Sequence, residues 1–208
     1  MIGKGKSISH GVAALEYDLA KEINGQAVAT EIARHELYGC TGAEMVQEMK
    51  PYHIDFPNVK NNCLRFEVSP SIEESATFTD ADWAELGNDF MQRMGLANHQ
   101  YIIIRHSGTE SKKEQAHLHI LANRVSLSGE LYRDNWIGKK ATEAANAIAK
   151  ERNFVQSQDI GKVNKAEIKE AMDGVLKKMQ GFDFTKFKEE LGKRGFKVRE
   201  ARASTGKL

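Results

Sequence analysis

The stretch HQYIIIRHSGTESKKEQAHLHILANRV, residues 99–125, decides the architecture. Its two arms, 99–106 and 117–125, are rich in β-branched and aromatic residues and flank a polar segment, 107–115, that reads as a turn. The reading is an antiparallel hairpin with a wide loop. Along the second arm the side chains alternate between sheet faces, so Leu118 and Ile120 fall on one face and His117 and His119 together on the other. His106 closes the first arm, across the hairpin from that pair. An isolated strand histidine is ordinarily a half-exposed residue with a hydrogen-bonded ring. Two on one face of a strand, with a third on the neighbouring strand, can bring three imidazoles to one ion and leave positions open for water or substrate, as a catalytic site requires. Asn123, four positions after His119 on the same parity, is placed to orient a ligand or a substrate phosphate, or to close the strand.

Outward from the hairpin, residues 63–69 (CLRFEVS) alternate as a half-buried strand, with Leu64, Phe66 and Val68 on one face and Arg65 and Glu67 on the other. Helical spacing is visible over 12–23, with Ser9 as its cap, and over 42–50, stopped by Pro51. Thr79 and Asp80 open a helix that Gly95 ends, and further helices are expected over 136–151, 165–180 and 184–194, with a last strand over 196–202. The expected fold class is α+β, a central antiparallel sheet with helices packed on it.

Composition narrows the function classes. The chain has 208 residues, two cysteines and a mean hydropathy of -0.53. Two cysteines exclude a disulfide scaffold and a four-thiolate zinc site. No apolar run approaches the roughly 20 residues of a membrane span and no signal-peptide core is present, so the expected location is the cytoplasm, without membrane insertion. The net charge of +1 names no partner, but residues 161–208 carry a surplus of +6 and residues 1–160 one of -5. The expected organisation is therefore a catalytic domain over 1–160 and a basic helical segment over 161–208, suited to a polyanion and including Lys193 and Arg194. A nucleophile beside the metal is open among the tyrosines. Tyr17, at the edge of the apolar stripe of the first helix, competes with Tyr38, Tyr52, Tyr101 and Tyr132.

The helix around Tyr17, residues 64–69, 100–106, the run His117-Leu118-His119 through Val125, and residues 187–198 together resemble the relaxases. These are the mobilisation nucleases of the HUH endonuclease superfamily, named for two histidines flanking an apolar residue. The resemblance implies a sheet with the HUH motif on a middle strand, and cleavage of one DNA strand at a transfer origin with strand-transferase activity. It implies a 5′-phosphotyrosine on Tyr17 and a divalent ion, Mn²⁺ or Mg²⁺, on His106, His117 and His119. Asn123 matches the trailing asparagine. The implied partners are single-stranded DNA and accessory relaxosome proteins, in plasmid or transposon mobilisation.

Relatives commonly carry an aspartate where this chain has Gly108. Glu67, and more weakly Glu110, is the expected replacement. His10 is a minor alternative nucleophile. The DNA is expected either along the basic C-terminal segment or across the sheet near Arg65, Arg105 and Arg124. The abrupt stop at Leu208 suggests truncation from a longer protein. Competing readings are a rolling-circle replication initiator of the same superfamily, a DNA-binding module that has lost catalysis, and an unrelated three-histidine enzyme acting on small molecules.

Overall fold

The computed structural model describes residues 1–108 and 115–199, arranged as two compact units, Met1–Ser157 and Gln158–Leu208. The first unit is built on a five-stranded antiparallel sheet of strands β1 (Ile2–Ile8), β4 (Ala29–His35), β5 (Cys63–Ser69), β6 (His99–His106) and β7 (His117–Ser126), in the order β1-β5-β7-β6-β4. The expected hairpin is β6–β7, and β7 is the central strand. A two-residue hairpin, β2 (Glu22–Ile23) with β3 (Gln26–Ala27), stands apart from the sheet.

Alternation along the central strands gives the sheet two different faces. Leu64, Phe66, Val68, Ile103, Leu118 and Ile120 pack under α4 (Asp80–Arg93) and α5 (Ile137–Glu151). Cys63, Ile102, Ile104 and Leu121 pack under α1 (Gly11–Leu19) and α2 (Gly42–Met49). Both α2 and α4 start at threonines, Thr41 and Thr79, each in a reciprocal capping box with the acid three residues on. The short α3 (Ile72–Ser75) uses Ser71 the same way. Pro51 ends α2 as expected by turning the chain into a 3₁₀ turn over Lys50–His53. Ser9 does not cap α1; His10 holds that position without a side-chain bond.

The expected helix over 12–23 stops at Leu19, and Glu22–Ile23 form β2 instead; besides the small β2–β3 hairpin, two strands of the main sheet escaped the sequence reading for physical reasons. In β1, IGKGKSI, glycine replaces the apolar inward residue at Gly3 and Gly5. A Cβ on Gly3 would lie 2.4 Å from the Ala141 carbonyl oxygen and 2.6 Å from the Ala145 methyl, so glycine lets α5 lie against this strand. In β4 the pairing shifts register between Glu31 and Ala33, which breaks the two-residue period.

The second unit pairs α6 (Ser157–Leu176) with α7 (Phe184–Lys193) around Ala171, Val175, Phe187 and Leu191. Helix α6 begins eight residues before the expected 165. The expected strand over 196–202 is not formed in its described part, 196–199; Phe196 and Val198 instead pack on the helix pair. Residues 200–202 lie outside the described residues, as does Glu110. Among the described residues no helix is long and apolar enough to cross a membrane.

Candidate metal and nucleophile site

The register of the central strands brings the three histidines together. His106 pairs directly with His117, and His119 sits two residues on along β7. Each offers a ring nitrogen, and these atoms all lie within 4.8 Å of one another. The Nε2 atoms of His117 and His119 are 3.1 Å apart. Two ligands of one tetrahedral ion, each about 2.0 Å from it, are separated by about the same distance. The set is all imidazole, which fits a divalent ion with remaining positions open.

The ring orientations are held from outside the cluster. Nδ1 of His117 lies 3.1 Å from the Gln115 carbonyl oxygen, and Nε2 of His106 lies 2.7 Å from that of Asp18. A carbonyl only accepts, so each of those nitrogens carries the proton and the other nitrogen of the ring keeps the lone pair. His119 turns Nδ1 toward Asp18, 3.8 Å from Oδ1, and toward Arg65, 3.4 Å from Nη2.

Asp18 is the carboxylate of this site, and the sequence reading did not single it out. It is 1% exposed and grips Arg65 in a fork: Arg65 Nε donates to Oδ2 at 3.0 Å and Nη2 donates to Oδ1. Burial raises the Asp18 pKa, while the hydrogen bonds and charge of Arg65 oppose the rise. The signal was available in the sequence. The buried positions of α1 are Gly11, Ala14, Leu15 and Asp18, an aspartate in step with an apolar stripe. Gly11 lets that stripe sit close, since a Cβ there would meet the Cys63 sulfur at 2.6 Å. Glu67, expected to fill this role, lies opposite His119 in the β5–β7 register but gives its carboxylate to Lys4, at 2.9 Å. It is half-exposed on the surface, and Asp18 takes the buried place.

Tyr17, the neighbour of Asp18, is 57% exposed, and its hydroxyl accepts a hydrogen bond from Lys21 Nζ at 2.7 Å. Its ring therefore does little core packing and its oxygen is accessible. Lys21, another residue the sequence reading passed over, lies near enough to His106 for its charge to disfavour protonation of that ring. Of the other tyrosines, Tyr101 is buried with its hydroxyl on Asn88.

The remaining expected residues are dispersed. Asn123 lies roughly 13 Å along the strand from His119. It is fully buried: its oxygen accepts from His53 and from the Val125 amide, and its amide donates to Gln100 and to the Met49 carbonyl. Every donor and acceptor of the amide is used inside the protein, so it organises the core and has none left for a substrate. Arg65, Arg105 and Arg124 do not share a face. Arg65 lies opposite Leu121 on the histidine side, while Arg105 pairs with Leu118 and points to the α4–α5 side. Arg124 follows Asn123 and has the opposite parity to His119. Arg105 binds Asp80, and Arg124 binds Asp134 and the carbonyls of Asn61 and Tyr132. In the second unit Lys193 pairs with Glu190, and Arg194 donates to the Ala171 carbonyl beside Gly174.

Burial pushes the pKa of both His106 and His119 below the usual imidazole value, that of His119 to about 2, and the neighbouring imidazoles push the same way. Below about pH 6.5 the unfolded chain protonates these rings more readily than the folded one, so the unfolded state binds more protons and stability falls as pH falls. Each ring contributes at most about 1.4 kcal/mol per pH unit in that window. Urea melts of the metal-free protein should give a lower unfolding free energy at about pH 5.5 than at about pH 7. His119→Gln should flatten that dependence; a variant as pH-sensitive as the wild type would contradict the assignment.

A family model for the nuclease domain of MobA/VirD2-like relaxases matches residues 17–154, well over half of the chain. No curated protein matches. Among solved structures, a conjugative relaxase, TrwC, in a metal-bound complex with oriT DNA aligns over 99% of this chain and 74% of its own, at 12% identity and a TM-score of 0.43. The family match begins at Tyr17 and takes in all three histidines and Asp18, and by it this chain belongs to the MobA/VirD2-like relaxase nuclease domains.

Proposed function

We propose that this chain nicks single-stranded DNA at a transfer origin by attack of the Tyr17 hydroxyl on a backbone phosphate. One observation carries the reading: α1 presents Tyr17 to solvent, and the next residue, Asp18, holds His106 by its carbonyl and faces His119 with its carboxylate. The tyrosine is thereby the chain neighbour of a residue that touches two of the three histidines, one through its backbone carbonyl and one through its carboxylate.

In the reaction the phenolic proton leaves, the tyrosine oxygen bonds to phosphorus, and the bond from phosphorus to the 3′ oxygen breaks. The products are a 5′-phosphotyrosine and a free 3′-hydroxyl. Attack by a 3′-hydroxyl on that linkage restores a DNA strand and frees Tyr17, which is the strand-transferase step of mobilisation. His106, His117 and His119 would hold a divalent ion, Mn²⁺ or Mg²⁺, whose chemistry when bound is to polarise a phosphate oxygen and offset the charge that develops on it. Lys21 positions the tyrosine oxygen and brings a positive charge to the incoming phosphate. Asp18 fixes the rings of His106 and His119 and keeps Arg65 beside them. Such a protein works on cytoplasmic DNA with accessory relaxosome proteins. The test is incubation with a divalent ion and single-stranded oligonucleotides tiling the DNA next to its gene. A covalent adduct on a denaturing gel is expected, and its absence across the tiled region would overturn the reading.

Asp18→Asn keeps the shape and removes the charge. Arg65 then loses its buried partner, at a cost of roughly 3 kcal/mol in stability. Metal affinity should fall about 10-fold or more, as when a group orienting a ligand is removed. Calorimetry with Mn²⁺ measures this, and an unchanged affinity would return Asp18 to a purely structural role.

A further inference from the structure

A cleft of about 220 Å³ opens beside the histidines, lined by Lys4, Gly5, Lys6, Arg65, Glu67 and His119 among others. Its position follows from the register. Lys4 lies opposite Glu67, which lies opposite His119; Lys6 lies opposite Arg65, which lies opposite Leu121. Both lysines therefore project on the histidine face, away from the face where α5 presses on Gly3 and Gly5. That close packing fixes β1 and with it the row of cations. Lys6 is exposed and forms no ion pair or hydrogen bond among the described residues. Among the described residues Lys4 is held only by an exposed pair with Glu67, and exposed pairs of this kind are weak. Arg65 spends Nε and Nη2 on Asp18 and leaves Nη1 without a partner among the described residues. The electrostatic influence of Lys4 also reaches His119. Three cations thus converge on one cleft whose wall is a ring of the metal-binding triad. Lysines on an edge strand often serve only to discourage edge-to-edge pairing, but these two point out of the sheet plane, over the cleft.

We propose that Lys4, Lys6 and Arg65 form a phosphate-binding cleft that holds the backbone of single-stranded DNA next to the scissile phosphate. The inference rests on the DNA-nicking reading for its ligand. Lysine contacts to phosphate release counterions and carry no sequence information, so the signature is the salt dependence of binding.

The test is equilibrium binding of a fluorescent single-stranded oligothymidylate at several salt concentrations. Each lost phosphate contact lowers the slope by about 0.7 on single strands, so Lys4→Gln/Lys6→Gln should lower it by about 1.4. Glu67→Gln, which frees Lys4, should tighten binding. These substitutions are on the surface, and circular dichroism with urea melts confirms that they leave the fold intact. An unchanged slope in the lysine variant, with wild-type adduct formation present, overturns the cleft and spares the nicking reading. A lowered slope with no adduct from the wild type keeps the cleft and overturns nicking. A wild type that does not bind the oligonucleotide overturns both.

Discussion

Replacing His117 and His119 together by alanine will lower divalent-metal affinity by more than ~100-fold, since groups that only orient a ligand already account for about 10- to 100-fold. The two rings supply nitrogens 3.1 Å apart on adjacent same-face positions of the central strand, and His106 alone cannot hold an ion tightly. Calorimetry with Mn²⁺ reads the loss directly, and adduct formation should disappear with it. The backbone of β7 is paired on both sides, so circular dichroism should show the strand intact. A double variant with wild-type affinity would mean that the ion sits elsewhere.

Tyr17→Phe has an effect of similar size on chemistry and almost none on folding. Removing a nucleophile that acts as one unit with its surroundings lowers turnover by about 10⁴-fold or more. The side chain is 57% exposed and its one polar partner among the described residues is the half-buried Lys21, so the stability change should stay within about 0.5 kcal/mol. Oligonucleotide affinity should be retained, because the phosphate contacts are untouched. A stable, DNA-binding variant that still forms the adduct at the wild-type rate would remove Tyr17 from the mechanism.

The sequence was most readable where its period was clean. Residues 63–69, 99–106 and 117–125 showed their strands, the first and last of them their faces too, and Thr79 marked where α4 begins. It was opaque where packing overrode the pattern. The glycines of β1 make sense only once α5 is seen lying on them, and the shift at Glu31–Ala33 hides β4. The site shows the same division. Strand parity was enough to join His117 with His119, and the same rule applied to Arg105 and Arg124 would have set them on the opposite face. Asp18 was the harder case. It takes the buried place expected for Glu67, from a helix distant in sequence, and only the docking of α1 brings it to His119. A charged residue in step with a buried helical stripe was the available clue.

The central claim is that α1 delivers its tyrosine to the histidine triad. The most direct measurement is mass-spectrometric mapping of the protein after reaction with an origin oligonucleotide and nuclease trimming of the bound DNA. The account predicts a nucleotide on the peptide containing Tyr17. A nucleotide on His10, Tyr38, Tyr52, Tyr101 or Tyr132 would contradict it.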